Sequence, residues 1–152
     1  MLDLLAKKWC LQHLYFEETV PLVPSVNLLL TINHGAAFSL FNQAGGWQVW
    51  LFGLVATIVI VVIVTELLFV KKKIVVELAL SLILSGTIGN FHDRLLYRGV
   101  IDFIDLYWNR WHYPTFNLAD AMICSGLILG IISALRQEKI ITLIDGNRPK
   151  KS

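Results

Sequence analysis

Three long apolar runs constrain this chain more than any motif in it. The runs at 47–70, 74–90 and 116–135 approach or reach the roughly 20 apolar residues that carry a helix across a bilayer. Many residues of 54–65 are β-branched, which in water would favour a strand. In lipid an isolated strand leaves its backbone groups unbonded, so length decides for helix. Composition agrees, since 56% of the residues are hydrophobic and 16% charged, whereas soluble domains carry about a quarter charged residues. The net charge of +2 leaves no electrostatic footprint for nucleic acid. Cys10 and Cys124 have no CxxC or Cys/His spacing, so neither a disulfide framework nor a zinc site is indicated.

Basic residues set the expected orientation. Lys71, Lys72 and Lys73 lie between the first two runs, and Arg136, Lys139, Arg148, Lys150 and Lys151 follow the third. Positive-inside counting places that lysine turn and a tail at 136–152 in the cytoplasm, and 13–46 and 91–115 outside. Trp47, Trp50, Tyr107, Trp108, Trp111 and Tyr113 cluster at the outer ends, as interfacial aromatics do. Residues 1–16 hold no long apolar stretch of the signal-peptide kind. Residues 1–12 read instead as the last turns of a first helix. Three crossings with an inner C-terminus would leave the N-terminus outside, so a missing or alternative upstream segment is expected.

The outer segments differ from the runs. In 20–46, Pro21 and Pro24 exclude a regular helix at the start, and short apolar stretches broken by Asn27, Asn33 and Gly35 read as strands and turns. A small β-rich lobe over 13–46 is expected, with Asn33-His34-Gly35 readable as a simple hairpin turn. The 91–115 loop concentrates His92, Asp93, Arg94, Asp102, Asp105 and His112. Asp93-Arg94 reads as an interfacial salt bridge of little energetic worth. Asp102 and Asp105, three apart, would share the wet face of a surface helix.

Asp120 is the informative residue, because it lies one turn inside the third run. An aspartate at the centre of a membrane helix costs roughly 2.5–3.5 kcal/mol. A start near Phe116 puts Asp120 about 6 Å along the helix, at the headgroup boundary, where the cost falls. Asn117 is a natural N-cap, and a first-turn acid gains from the helix dipole. Asp120 alone could therefore be a plain first-turn acid. The outer ends of the second and third runs meet the same interface, however, and the loop joining them carries Asp102. Two carboxylates at a partly dry boundary can share one proton, the ionised one activating water and the protonated one donating to a carbonyl.

The stretches INHGAAFSLF (32–41), GTIGNFHDRLLYRGVIDFIDLYW (86–108) and PTFNLADAMICSG (114–126) resemble the lipoprotein signal peptidase, or signal peptidase II, family. The resemblance runs in order from about residue 3 to about 135. It implies a bacterial inner-membrane aspartic endopeptidase that cuts diacylglyceryl-modified prolipoproteins just before the lipidated cysteine. It implies Asp102 and Asp120 as the catalytic pair. Asn33, Asn90, Asp93, Arg94 and Asn117 match positions that support the pair or contact substrate and inhibitor. No metal or cofactor is implied, and the expected partners are membrane lipid, the precursor and globomycin-type inhibitors, on a monomer. The implied fold is integral-membrane and mainly α: three full transmembrane helices, the end of a first helix, a small extracytoplasmic β-rich lobe and a short surface helix. Family members begin with a full helix ending in Asp-Gln-x-x-Lys; here Asp3 and Lys7 are kept and Leu4 replaces the glutamine.

Other readings stand beside this one. A shortened, inactive paralogue could bind precursors without cutting them. A small proton-coupled membrane protein could use Asp120 with Glu66 or Glu77, although both glutamates lie near Lys71–Lys73 at the opposite face. A metallohydrolase built on His92, Asp93, Asp102 and His112 lacks any recognised ligand spacing. Precursor processing is therefore expected to be insensitive to chelators. Inhibition by a chelator, reversed by zinc, would favour the metal reading.

Overall fold

The computed structural model describes residues 2–35 and 46–146, with backbone alone for 137–146. Its elements run α1 (Leu2–His13), β1 (Thr19–Val23), β2 (Val26–Asn33), α2 (Trp47–Phe69), α3 (Ile74–Tyr97), β3 (Val100–Trp108), β4 (Trp111–His112) and α4 (Leu118–Gly146). Helices α2 and α3, with Leu118–Arg136 of α4, are long and apolar enough to span a membrane. This is the mainly helical architecture with a small sheet that the sequence led one to expect. No short surface helix occurs among the described residues, and 36–45 lie outside them.

Helix α2 has almost no polar face, as a helix surrounded by lipid requires. Leu54, Ile58, Val61 and Val62 are exposed along it. Helices α3 and α4 pack much more closely. A Cβ on Gly86 would lie 2.3 Å from the Ala119 carbonyl oxygen, and one on Gly126 would lie 2.6 Å from that of Ala79. Small residues at these points let the two backbones touch, the usual means of holding helices together without a hydrophobic driving force.

The four strands form one antiparallel sheet in the order β1-β2-β3-β4. Proline at 21 is tolerated because β1 is an edge strand. The tight turn falls at Pro24-Ser25, where Ser25 takes φ 71°. Asn33-His34-Gly35 is therefore not a hairpin turn, since Asn33 ends β2 and pairs with Val100. Cys10, Leu30, Ile101 and Phe103 form the core between α1 and the sheet.

Two readings of the 91–115 segment are corrected. The second long helix does not end at 90 but continues to Tyr97, so His92, Asp93 and Arg94 sit on its last turns. Those polar residues stay helical because the buried ones among them find partners on other elements. Asp102 and Asp105 do not share a helix face either. They lie on β3, where an odd separation points them to opposite faces. Asp105 is held by Asn27 Nδ2 at 2.8 Å and by His112 Nδ1 at 2.9 Å.

The close α3–α4 contact sets the height of Asp120, one residue beyond Ala119. Gly86→Val should therefore lower the thermal midpoint in detergent, with a cost of about 1–3 kcal/mol. Gly130→Ala, whose Cβ would meet nothing nearer than 3.9 Å, should leave it unchanged. Equal effects from the two would refute the packing account.

Candidate active site

Asn117 begins the site. It is fully buried, and it caps α4 from the position just before Leu118. Its Oδ1 accepts from the Asp120 backbone N–H at 2.8 Å, while Asp120 Oδ2 accepts from the Asn117 N–H at 3.3 Å. This reciprocal pair is a capping box with Asn and Asp in the two roles. The bridge between Ile104 and Phe116 lays the chain entering α4 beside β3. The Asn117 side-chain amide can therefore reach Asp102 on β3, donating to its Oδ1 at 2.7 Å. One residue thus binds both carboxylates.

Each carboxylate has a second amide. Asn33 Nδ2, at the end of β2, donates to Asp102 Oδ2 at 3.3 Å. Asn90 Nδ2, on α3, donates to Asp120 Oδ1 at 2.7 Å. Gly99 lets β2 finish against the end of α3, since a Cβ there would lie 2.6 Å from Ile32 Cγ2 and 2.9 Å from His34 Nδ1. Asp102 is 2% exposed, and Asp120 is half-buried.

Burial is the first cause that raises the Asp102 carboxyl to a pKa of about 7, and the negative charge of Asp120 is the second. Hydrogen bonds from Asn33 and Asn117, then the charge of Lys7, pull the other way. The balance leaves Asp102 able to hold a proton at neutral pH beside an acceptor-poised neighbour.

A second set of charges lies directly behind. Lys7 is 2% exposed, and its Nζ sits 2.8 Å from Asp3 Oδ2, 2.7 Å from Asp93 Oδ2 and 3.2 Å from Asn90 Oδ1. Asp3 Oδ1 accepts from the Ala119 N–H at 3.0 Å, and Asp93 Oδ2 accepts from the Ile101 N–H at 3.2 Å. The ammonium thereby links α1, α3, α4 and β3. Asp93 is partnered by Lys7, not by Arg94 in a surface ion pair, and Lys7 is an interior cation, not an interfacial one. Residue types alone could not reveal this, though an acid and a lysine four apart on a short helix were a signal.

Arg94 Nη1 donates to the Asn90 carbonyl at 3.3 Å and Nη2 to the Gly35 carbonyl at 3.4 Å, with its guanidinium 5.6 Å from the centre of the Phe52 ring. It also lines a groove of about 780 Å³ between α2 and α3, with Trp50, Leu54, Phe91, Leu95 and Arg98. Neither carboxylate lines that groove, so the groove is a neighbour of the pair and not the pair's own pocket. All seven residues singled out from the sequence thus fall in one network or on its border. The proposed metal set does not come together: His92 lies 3.6 Å from Asp93 Oδ1, and His112 pairs with Asp105 on the other face of β3.

A family model described as signal peptidase (SPase) II matches residues 1–136. The lipoprotein signal peptidases of Yersinia pestis (strain Pestoides F) and Yersinia pseudotuberculosis serotype IB (strain PB1/+) are each 43% identical over 132 residues. Each match covers 86% of this chain and 78% of the relative. Two solved structures, each described as a bacterial membrane enzyme, share the fold. The first has a TM-score of 0.79 at 27% identity and covers 99% of this chain and 87% of its own. The second has 0.74 at 28%, covering 88% and 85%.

The raised Asp102 pKa carries a stability consequence. A carboxyl that binds its proton more tightly folded than unfolded contributes stability that is complete below about pH 4. That contribution is lost as pH rises through about 7. Asp102→Asn should therefore raise the thermal midpoint by about 4 °C or more at pH 8, and much less at pH 4.5. A variant destabilised equally at both values would contradict the assignment.

Proposed function

The chain belongs to the signal peptidase II family, and on that premise we propose that it is an aspartic endopeptidase of the bacterial inner membrane. Its substrates are diacylglyceryl-modified prolipoproteins, cut just before the lipidated cysteine by water activated between Asp102 and Asp120. The observation that carries this reading is the double grip of Asn117, which holds one carboxylate through its side chain and the other through its backbone.

In the resting site Asp102 carries the shared proton and Asp120 is ionised. The raised Asp102 pKa supports that division, as does the place of Asp120 at the positive end of α4. Asp120 takes a proton from water as the water oxygen attacks the scissile carbonyl, and Asp102 gives its proton to the carbonyl oxygen. The resulting diol collapses when Asp102 recovers a proton from one hydroxyl and Asp120 passes its own to the departing amine. The carbon–nitrogen bond breaks and both side chains return to their starting states. No energy source is required, because peptide hydrolysis is downhill.

The setting suits a lipid-anchored substrate. Acyl chains keep the modified cysteine at headgroup level, and the α4 N-terminus with its capping pair belongs at the same boundary, facing the periplasm or exterior. The apolar groove beside Arg94 offers a lateral place for part of a membrane-embedded substrate or a globomycin-type inhibitor.

Asp102→Asn and Asp120→Asn should each lower processing of a lipidated precursor by at least about a hundredfold while the protein still accumulates in the membrane. Near wild-type cleavage by either variant would overturn the dyad. For the wild type, cleavage should fall as pH rises past about 7, where Asp102 gives up its proton. A rate that keeps climbing through pH 8 would contradict the proton assignment.

A further inference from the structure

We infer that Lys7 is a positioning residue for the reaction, fixing the Asn90 side-chain amide so that its N–H, and not its oxygen, faces Asp120. The inference rests on the dyad reading above. Asn90 Oδ1 is engaged by Lys7 Nζ at 3.2 Å and by Asn117 Nδ2 at 3.1 Å, both of which can only donate. With the oxygen so occupied, Nδ2 is the atom left to meet Asp120 Oδ1, at 2.7 Å. A flipped amide would set its N–H groups against two donors and its oxygen against a carboxylate. The flipped form is compatible with Asp120 only when Asp120 carries a proton, which removes the base.

The burial of Lys7 makes this arrangement strict. Its ammonium donates to Asn90 and lies within ion-pair distance of one carboxylate oxygen on each of Asp3 and Asp93. The other charged groups facing this region are Asp120 on α4, Asp102 on β3 and Arg94 on α3. Arg94 reaches only the Asn90 backbone oxygen, so it does not orient the amide. The two carboxylates already outnumber the single ammonium, so the Asn90 oxygen adds nothing to charge balance; it is the neutral group that leads to the dyad.

Removing Lys7 alone would strand two buried carboxylates, so the test removes Asp93 with it and leaves Asp3, which keeps the Ala119 N–H as a partner. K7M/D93N deletes one positive and one negative side chain, and leaves an oxygen at 93 for the Ile101 N–H. K7Q/D93N makes the same change in charge but restores a donor toward Asn90. The reading is the pH profile of precursor cleavage, with KM followed beside kcat. In K7M/D93N the acid limb should move upward by about one unit, so that activity about one unit below the native optimum falls roughly tenfold with KM unchanged. K7Q/D93N should bring the limb back to within a few tenths of native.

An acid limb that stays in place in a K7M/D93N protein that reaches the membrane would overturn the inference, whatever happens to the overall rate. So would a K7Q/D93N protein whose acid limb lies with that of K7M/D93N, because the charge of Lys7 and not its hydrogen bond to Asn90 would then govern the limb. The dyad is judged separately, by whether Asp102→Asn or Asp120→Asn retains cleavage.

Discussion

Asn117 is the residue on which the arrangement turns. It starts α4, and the same atoms that satisfy the helix end tie the membrane helices to the sheet. A helix N-terminus has backbone N–H groups without partners inside the helix, and here the Asn117 oxygen and the Asp120 carboxylate answer two of them. Asp3 answers a third, at Ala119. The Asn117 amide is then free to bind β3 at the Ile101 carbonyl and the Asp102 carboxylate. Capping and site assembly are thus a single set of hydrogen bonds.

Much of this organisation lies on the surface of the sequence. The three apolar runs announce the membrane helices. Asn117 and Asp120, three apart before an apolar stretch, give the helix start and the carboxylate in its first turn. The strands before Asn33 follow from prolines and broken apolar stretches. Where the sequence misleads, burial is the reason. Strand β3 is covered on both faces, so Val100, Ile101, Asp102 and Phe103 are all buried and the alternation of a half-exposed strand is lost. The same uniformity lets VIDFID pass for a surface helix. Helix α3 outlasts its apolar run because Asn90 and Asp93 are satisfied by residues 27 and 86 positions away in the chain. Pairings at such separations leave no local pattern to read.

Lys7 illustrates the same point from the other side. A lysine near the start of a membrane protein counts, by default, as an interfacial charge. Inside a ring of acceptors it becomes a structural centre, and a buried ion pair that loses one partner is costly because the other charge remains. Asp3 and Asp93 therefore secure the lysine, and the lysine secures the contact of α1 with α3. The consequence for chemistry is order: amides that could turn either way around are given one orientation each.

Asp102 and Asp120 are proposed to hold one proton between them near neutral pH, with Asp102 as its carrier. Infrared difference spectra of wild type against Asp102→Asn, recorded across the pH range 4 to 9, test it directly. The claim predicts a protonated-carboxyl band in the wild type that is missing from the variant and disappears with a midpoint near 7. A wild-type spectrum in which that band is gone by pH 5, matching an ordinary exposed aspartate, would contradict it.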